Sequence, residues 1–137
     1  MSSPNTPPIT ILVVDDEPDV ESMFRQKFRK EIKTQKIALQ FALSASTALA
    51  YLQQSAAQAK ATLILSDINM PGMNGLELLR IIKQHYPDLA VFMVTAYGDE
   101  QSRQTAKQYG ASGFINKPVN FIQLKKDIFS ITDPVLA

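Results

Sequence analysis

Asp15 and Asp16 follow the apolar run Ile9–Val14. Asp67 follows Ala61–Ser66, with Asn69 two residues on. Thr95 and Ala96 follow Leu89–Val94, and Lys117 with Pro118 follows Gly113–Asn116. Read singly, each has an ordinary role. The acids cap helices or turns, Thr95 completes a strand, and Lys117 is a surface lysine. Read together, they are a set of chemical groups at the ends of apolar runs. Three carboxylates gathered at one place repel each other unless something cationic compensates. A hard divalent cation such as Mg²⁺ does so with oxygen ligands and commonly shares its shell with a phosphate. Lys117 adds a compact point charge suited to a phosphate or a carboxylate. Thr95 adds a hydroxyl donor. Acids, metal, ammonium and hydroxyl together suit phosphoryl transfer.

The acceptor of such a group must be a nucleophile. The chain has no cysteine, and its one histidine, His85, falls at the end of a helix pattern beside Tyr86 and Pro87. A carboxylate can take the role and form an aspartyl phosphate. Asp67 is the best placed acid, because its strand is central in the expected sheet.

The groups meet only if the chain brings the run ends together. Ile9–Val14 reads as a strand buried on both faces. Asp15-Asp16-Glu17-Pro18 then starts a helix whose face is Val20, Met23, Phe24, Phe28 and Ile32. Lys36–Leu43 is a second strand. Ser44 and Ser46 are N-cap candidates for a helix carried by Leu49, Leu52 and Ala56. Ala61–Ser66 is the third strand, and a helix from Asn74 to about Tyr86 stops before Pro87. Leu89–Val94 is the fourth strand. A more polar helix from Asp99 to about Tyr109 closes at Gly110. Gly113–Asn116 is the fifth strand. Pro118 opens the last turn, and Val119–Ile131 is the final helix. Strand–helix alternation repeated in this way predicts a parallel sheet covered on both faces, with right-handed crossovers. Ligands of such sheets bind outside the carboxyl ends of the strands. All the glycines lie after residue 70, and Gly72, Gly75 and Gly98 fall in the connections leaving strands three and four.

Composition narrows the classes. With 137 residues, 45% of them hydrophobic, the chain suits one ordinary domain. The expected division is a disordered lead-in over 1–8, one domain over 9–131, and a tail or linker start over 132–137. The lack of cysteine excludes disulfides, thiol catalysis and thiolate metal sites. A net charge of +1 with dispersed Lys and Arg argues against direct nucleic-acid contact. No apolar stretch reaches the roughly 20 residues of a membrane span, and "MSSPNTPPIT" lacks a signal peptide's features. A cytoplasmic location is expected.

The segments "ILVVDDEP", "LILSDINMPGMNGLELL", "FMVTAYG" and "GFINKP" resemble the receiver domain of two-component response regulators, of the chemotaxis type. The resemblance runs from about Ile9 to Ile131, and the ordered set Asp-Asp, Asp, Thr-Ala, Lys-Pro is its specific part. It implies a flavodoxin-like doubly wound (βα)5 fold with strand order 2-1-3-4-5. Asp67 is then the phospho-acceptor. Asp16 is the direct Mg²⁺ ligand, Asp15 acts through water, and Asn69 lends its backbone carbonyl. Lys117 pairs with Asp67 and then with the phosphoryl oxygens, Thr95 binds the phosphoryl group, and Ala96 leaves room for it. The Lys117–Pro118 bond is cis. Thr95 moving inward makes space for Phe114 to turn in, which alters the face of the fourth helix, fifth strand and fifth helix. The implied partners are a sensor histidine kinase or phosphotransfer protein and a downstream effector, and a phosphorylation-linked dimer is expected.

Phe114 stands where tyrosine is also common in the family, and a plain core phenylalanine is the alternative. Ala45 stands where the family often has glycine. Asn69 and Tyr97 occupy positions that tune dephosphorylation. Three other readings compete. A haloacid-dehalogenase-type enzyme needs an acid two residues past the nucleophile, and Asn69 is there. A flavodoxin-like cofactor binder needs a phosphate loop where this chain has acids. A docking module that works unphosphorylated has no need of an intact acidic set.

Overall fold

The computed structural model describes residues 8–54, 62–70, 72–96 and 99–132. Its elements are β1 (Ile9–Val14), α1 (Asp19–Lys27), α2 (Arg29–Lys33), β2 (Ile37–Ala42), α3 (Ala45–Gln54), β3 (Thr62–Asp67), α4 (Gly75–His85), β4 (Ala90–Thr95), α5 (Glu100–Gln108), β5 (Gly113–Asn116) and α6 (Phe121–Thr132). The strands form one parallel sheet in the order β2-β1-β3-β4-β5. The fold is the expected flavodoxin-like α/β architecture, with β3 at the centre.

Alternation along the strands sends side chains to two cores. Ile11, Val13, Leu63, Leu65, Phe92, Val94 and Ile115 pack with Phe24, Phe28, Leu124 and Ile128 on the α1, α2 and α6 side. Leu12, Val14, Ile64, Val91 and Met93 pack with Ala48, Leu52, Leu78, Leu79, Ile82 and Ala106 on the α3, α4 and α5 side. Both faces of the sheet are therefore dry, which is why the strand sequences are continuous apolar runs.

Several boundaries move. β3 and β4 each end one residue later than their apolar runs, on Asp67 and Thr95. Backbone pairing sets a strand end, and the Ile68 N–H still donates to the Val94 carbonyl at 3.1 Å. β2 is shorter at each end than expected. Ser44 caps α3 by accepting from the Thr47 N–H at 3.1 Å, whereas Ser46 lies inside the helix. The last helix starts at Phe121, because Asn120 accepts from the Gln123 N–H and acts as its cap. The expected first helix is two pieces, α1 and α2, meeting at Phe28. Phe28 departs from helical backbone (φ −101°, ψ 15°) while its ring is fully buried in an aromatic cluster. The expected fourth and fifth helices are thus α5 and α6. Met23 is exposed, although its spacing put it on the buried face. The expectations for the lead-in over 1–7, the tail over 133–137, Ala56, Tyr97 and Gly98 lie outside the described residues.

Candidate functional site

The carboxyl ends of β1, β3 and β5 place the charged groups. The Asp15 N–H bonds to the Ala42 carbonyl, which carries the sheet pairing one step past β1 and sets the acids at its mouth. Asp15, Asp16 and Asp67 each offer a carboxylate oxygen within 4.8 Å of one another. Asp67 is only 5% exposed, at the end of the central strand. Its Oδ2 accepts from Lys117 Nζ at 2.9 Å, and its Oδ1 accepts from the Asn69 N–H at 3.3 Å. The pair joins residues from β3 and from the loop after β5, which only the parallel sheet makes neighbours.

The electrostatics follow from this crowding. Burial pushes the Asp15 carboxyl above its usual range, the nearby Asp67 charge adds to the rise, and the Glu17 N–H bond at 3.0 Å opposes it. Burial works to lower the Lys117 ammonium, but the hydrogen bond and charge of Asp67, with Asp15 and Glu17 behind it, hold it above the usual lysine value. The lysine is therefore charged at neutral pH, and two of the three acids are close to one cation. The donors are all hard oxygens with more negative than positive charge, which suits a divalent cation such as Mg²⁺.

Thr95 lies beside this group. It is fully buried, its hydroxyl donates to the Ala96 carbonyl at 3.3 Å, and its own carbonyl accepts from the Lys117 N–H at 3.1 Å. Ala96 is exposed just beyond it. The Lys117–Pro118 peptide bond is cis, as expected. Phe114 is two residues upstream of Asn116, the residue that pairs with Thr95, so it shares Thr95's sheet face. It is half-buried against the α3–α5 core. His85 is exposed at the end of α4, away from the strand mouths.

Two residues contribute in ways that residue type and spacing did not reveal, and a third, Gly75, lies in the connection after strand three that the sequence marks as tight. The Glu17 backbone holds the Asp15 carboxylate. The Ser66 hydroxyl bonds to the Asp67 carbonyl at 3.1 Å. Gly75 lets α4 start directly against β3. A Cβ there would sit 2.1 Å from the Asp67 carbonyl oxygen, and the Gly75 N–H donates to the Ile68 carbonyl at 2.8 Å. The available sequence signal was the Asn74-Gly75 pair, with Asn74 capping α4 through the Glu77 N–H.

Known proteins give an independent comparison. The family model described as the response regulator receiver domain matches residues 11–129. The response regulator protein PilR of Pseudomonas aeruginosa is 32% identical over 115 residues, 84% of this chain and 24% of that protein. The nitrogen assimilation regulatory protein NtrX of Azorhizobium caulinodans is 36% identical over 112 residues, 80% of this chain and 23% of that protein. The DNA-binding transcriptional regulator NtrC of Escherichia coli is 49% identical over 55 residues, 40% of this chain and 12% of that protein. This chain thus spans less than a quarter of the length of these curated relatives. Among solved structures, the receiver domain of NtrX from Brucella abortus has a TM-score of 0.76 at 30% identity, covering 90% of this chain and 98% of that one. A response regulator receiver domain protein from Clostridium thermocellum has a TM-score of 0.80 at 25% identity, covering 91% and 94%. The family match extends over the strand ends that carry the acids, the threonine and the lysine, and the chain belongs to the response regulator receiver domain family.

Proposed function

We propose that this receiver domain is a phosphorylation-dependent switch with Asp67 as its acceptor. One observation carries the reading: a nearly buried carboxylate at the central strand end, bonded to Lys117 and within 4.8 Å of two further acids. A carboxylate oxygen of Asp67 attacks the phosphorus of a phosphohistidine, and a P–O bond forms as the P–N bond breaks. The electron pair stays on the donor imidazole, which leaves protonated on its other nitrogen. A small acyl phosphate or phosphoramidate serves in the same way. Lys117 transfers its ammonium from Asp67 to the phosphoryl oxygens, and Thr95 turns its hydroxyl from the Ala96 carbonyl toward them, while exposed Ala96 leaves the approach open. Asp15, Asp16, Asp67 and the Asn69 carbonyl would hold Mg²⁺, which would supply positive charge against the three acids and an incoming phosphate.

The modified aspartate carries about −1.5 to −2 charges by analogy with other phosphorylated side chains. That charge is sensed through Thr95 and Phe114 and read on the face of α5, β5 and α6. The partners in this reading are a histidine kinase or phosphotransfer protein and a downstream effector, with a phosphorylation-linked dimer as one output. Within its single domain, 9–131, the chain catalyses only its own phosphorylation and dephosphorylation, in the cytoplasm. NtrC is named as DNA-binding. For this chain, the +1 net charge and dispersed Lys and Arg favour a receiver that does not itself touch nucleic acid. Among the described residues no helix is long and apolar enough to cross a membrane.

Incubation with acetyl phosphate or phosphoramidate and Mg²⁺, followed by intact mass measurement, tests the acceptor. The wild type should gain one phosphoryl group and Asp67→Asn none. An equal gain by the variant rules out Asp67.

A further inference from the structure

Arg103 sits on α5, in the turn after the Asp99 cap. Its guanidinium carbon lies 5.0 Å from the centroid of the Phe114 ring. Among the described residues it makes no ion pair, so the ring is its side-chain partner. The two residues form one wall of a surface groove completed by Glu100, Gln104, Lys107 and Gln108. The ring is half-buried, with one part in the α3–α5 core and another facing the groove beneath the arginine.

The register gives this contact a direction. Met93 pairs with Phe114 and Thr95 with Asn116, so the ring and the Thr95 hydroxyl share one sheet face, one step apart on neighbouring strands. A ring that turns inward, toward Thr95, moves away from the guanidinium in the groove. The cation–π contact then belongs to one ring position and not to the other. Only a contact that differs between two states shifts the balance between them.

We propose that Arg103 is a positioning residue that holds Phe114 at the groove, so that it opposes the inward turn and lowers the affinity of the Asp67 site for a phosphoryl group. This rests on the reading of Asp67 as acceptor and of Thr95 and Phe114 as its relay. Linkage makes the effect reciprocal: what favours the groove position of the ring disfavours phosphoryl binding by the same factor. A partly exposed cation–π contact corresponds to a factor of about two to five. Arg103 thereby sets the threshold at which the domain responds, without touching the reacting atoms.

Beryllofluoride, a phosphoryl mimic, is titrated with Mg²⁺ into the wild type, Arg103→Gln and Arg103→Lys, each also in a Phe114→Leu background. Arg103→Gln should bind about two- to fivefold more tightly than the wild type, and Arg103→Lys should lie between them. In the Phe114→Leu background the Arg103 substitutions should have no effect, because no ring remains to hold. A purely structural role of Arg103 in α5 would persist in that background. Unchanged or weaker binding by Arg103→Gln, or an equal change with and without the ring, overturns the positioning role alone. Absence of beryllofluoride binding by the wild type overturns the acceptor reading and this inference with it.

Discussion

The two faces of the sheet are packed by different means. On the α1, α2 and α6 face, Phe24, Phe28, Phe41 and Phe121 form one aromatic cluster. Phe24 and Phe28 stack at 5.9 Å, and Phe121 meets them edge-on at 5.1 and 6.1 Å. Cations lie over the rings: Arg25 over Phe41, Lys27 over Phe121 and Lys125 over Phe28. An ion pair from Lys125 to Glu31, at 3.2 Å, ties α6 to α2. On the α3, α4 and α5 face the buried apolar side chains are aliphatic, alanine or methionine, and among the described residues its rings lie at the margin, Phe114 among them. Large interlocked rings have few alternative arrangements, whereas small and flexible side chains re-pack at lower cost. The first face is built as a frame and the second can accommodate a moving ring. Lys117 and Pro118 lead from the acid site into the framed face, and Thr95 leads into the other.

The contrast fails most visibly if Phe28 can be removed cheaply. Phe28→Ala empties a fully buried site on the frame, and a loss of about 3–5 kcal/mol is expected in urea unfolding. Phe114→Ala, half-buried on the other face, should cost clearly less. Equal losses would erase the distinction between the faces. Gly75→Ala tests a position on the aliphatic side where an added Cβ meets backbone. Its Cβ meets backbone, not a flexible side chain, so about 1–3 kcal/mol should be lost as α4 moves off β3, together with slower phosphoryl uptake. A neutral outcome would mean that α4 can shift freely. Lys125→Met keeps the apolar stem over Phe28 but leaves Glu31, whose Oε1 already has no partner, without its cation. A loss of about 1 kcal/mol is expected, from stranding a partly buried charge. No loss would make the ion pair irrelevant to the frame.

The smallest expected effect is at Asp15 and depends on pH. Burial and the Asp67 charge raise its carboxyl in the folded state, so the folded protein holds that proton more tightly than the unfolded chain. Stability then falls as pH rises from the usual carboxylate range through the raised value, and stays lower above it. Asp15→Asn should melt a few degrees higher than the wild type at neutral pH, and the gap should close below the usual carboxylate range. A gap of constant size across pH would assign the gain to something other than charge. Thermal melts at low ionic strength and without added metal make the measurement.

Much of this was legible in the chain. Continuous apolar runs over Ile9–Val14 and Ala61–Ser66 announce strands buried on both sides, and the strand–helix alternation fixes a parallel sheet. Asp67 is legible as the best placed acid because its strand is central in the expected sheet. Less legible was whatever depends on the third dimension. Met23 has the spacing of a buried residue and is exposed, because periodicity assigns a helix face but not how far the neighbouring helix extends over it. Helix α1 ends at Phe28 although the apolar pattern continues to Ile32, because the backbone there (φ −101°, ψ 15°) leaves helical geometry, which side-chain periodicity does not encode. The Glu31–Lys125 ion pair at 3.2 Å has no local signal, because it joins two helices distant in sequence.

The sequence by itself determined the order of elements and the groups able to act on a phosphate. These follow from local rules, since apolar periodicity, caps and turn residues act within a few positions of one another. Only the tertiary structure decided that Lys117 reaches Asp67 at 2.9 Å, that the three carboxylates converge within 4.8 Å, that Gly75 lies against the Asp67 carbonyl, and that Arg103 covers Phe114. Those distances join residues on different strands and helices. They are set by the register and twist of the sheet and by the packing of two unlike faces, which no stretch of the chain encodes alone.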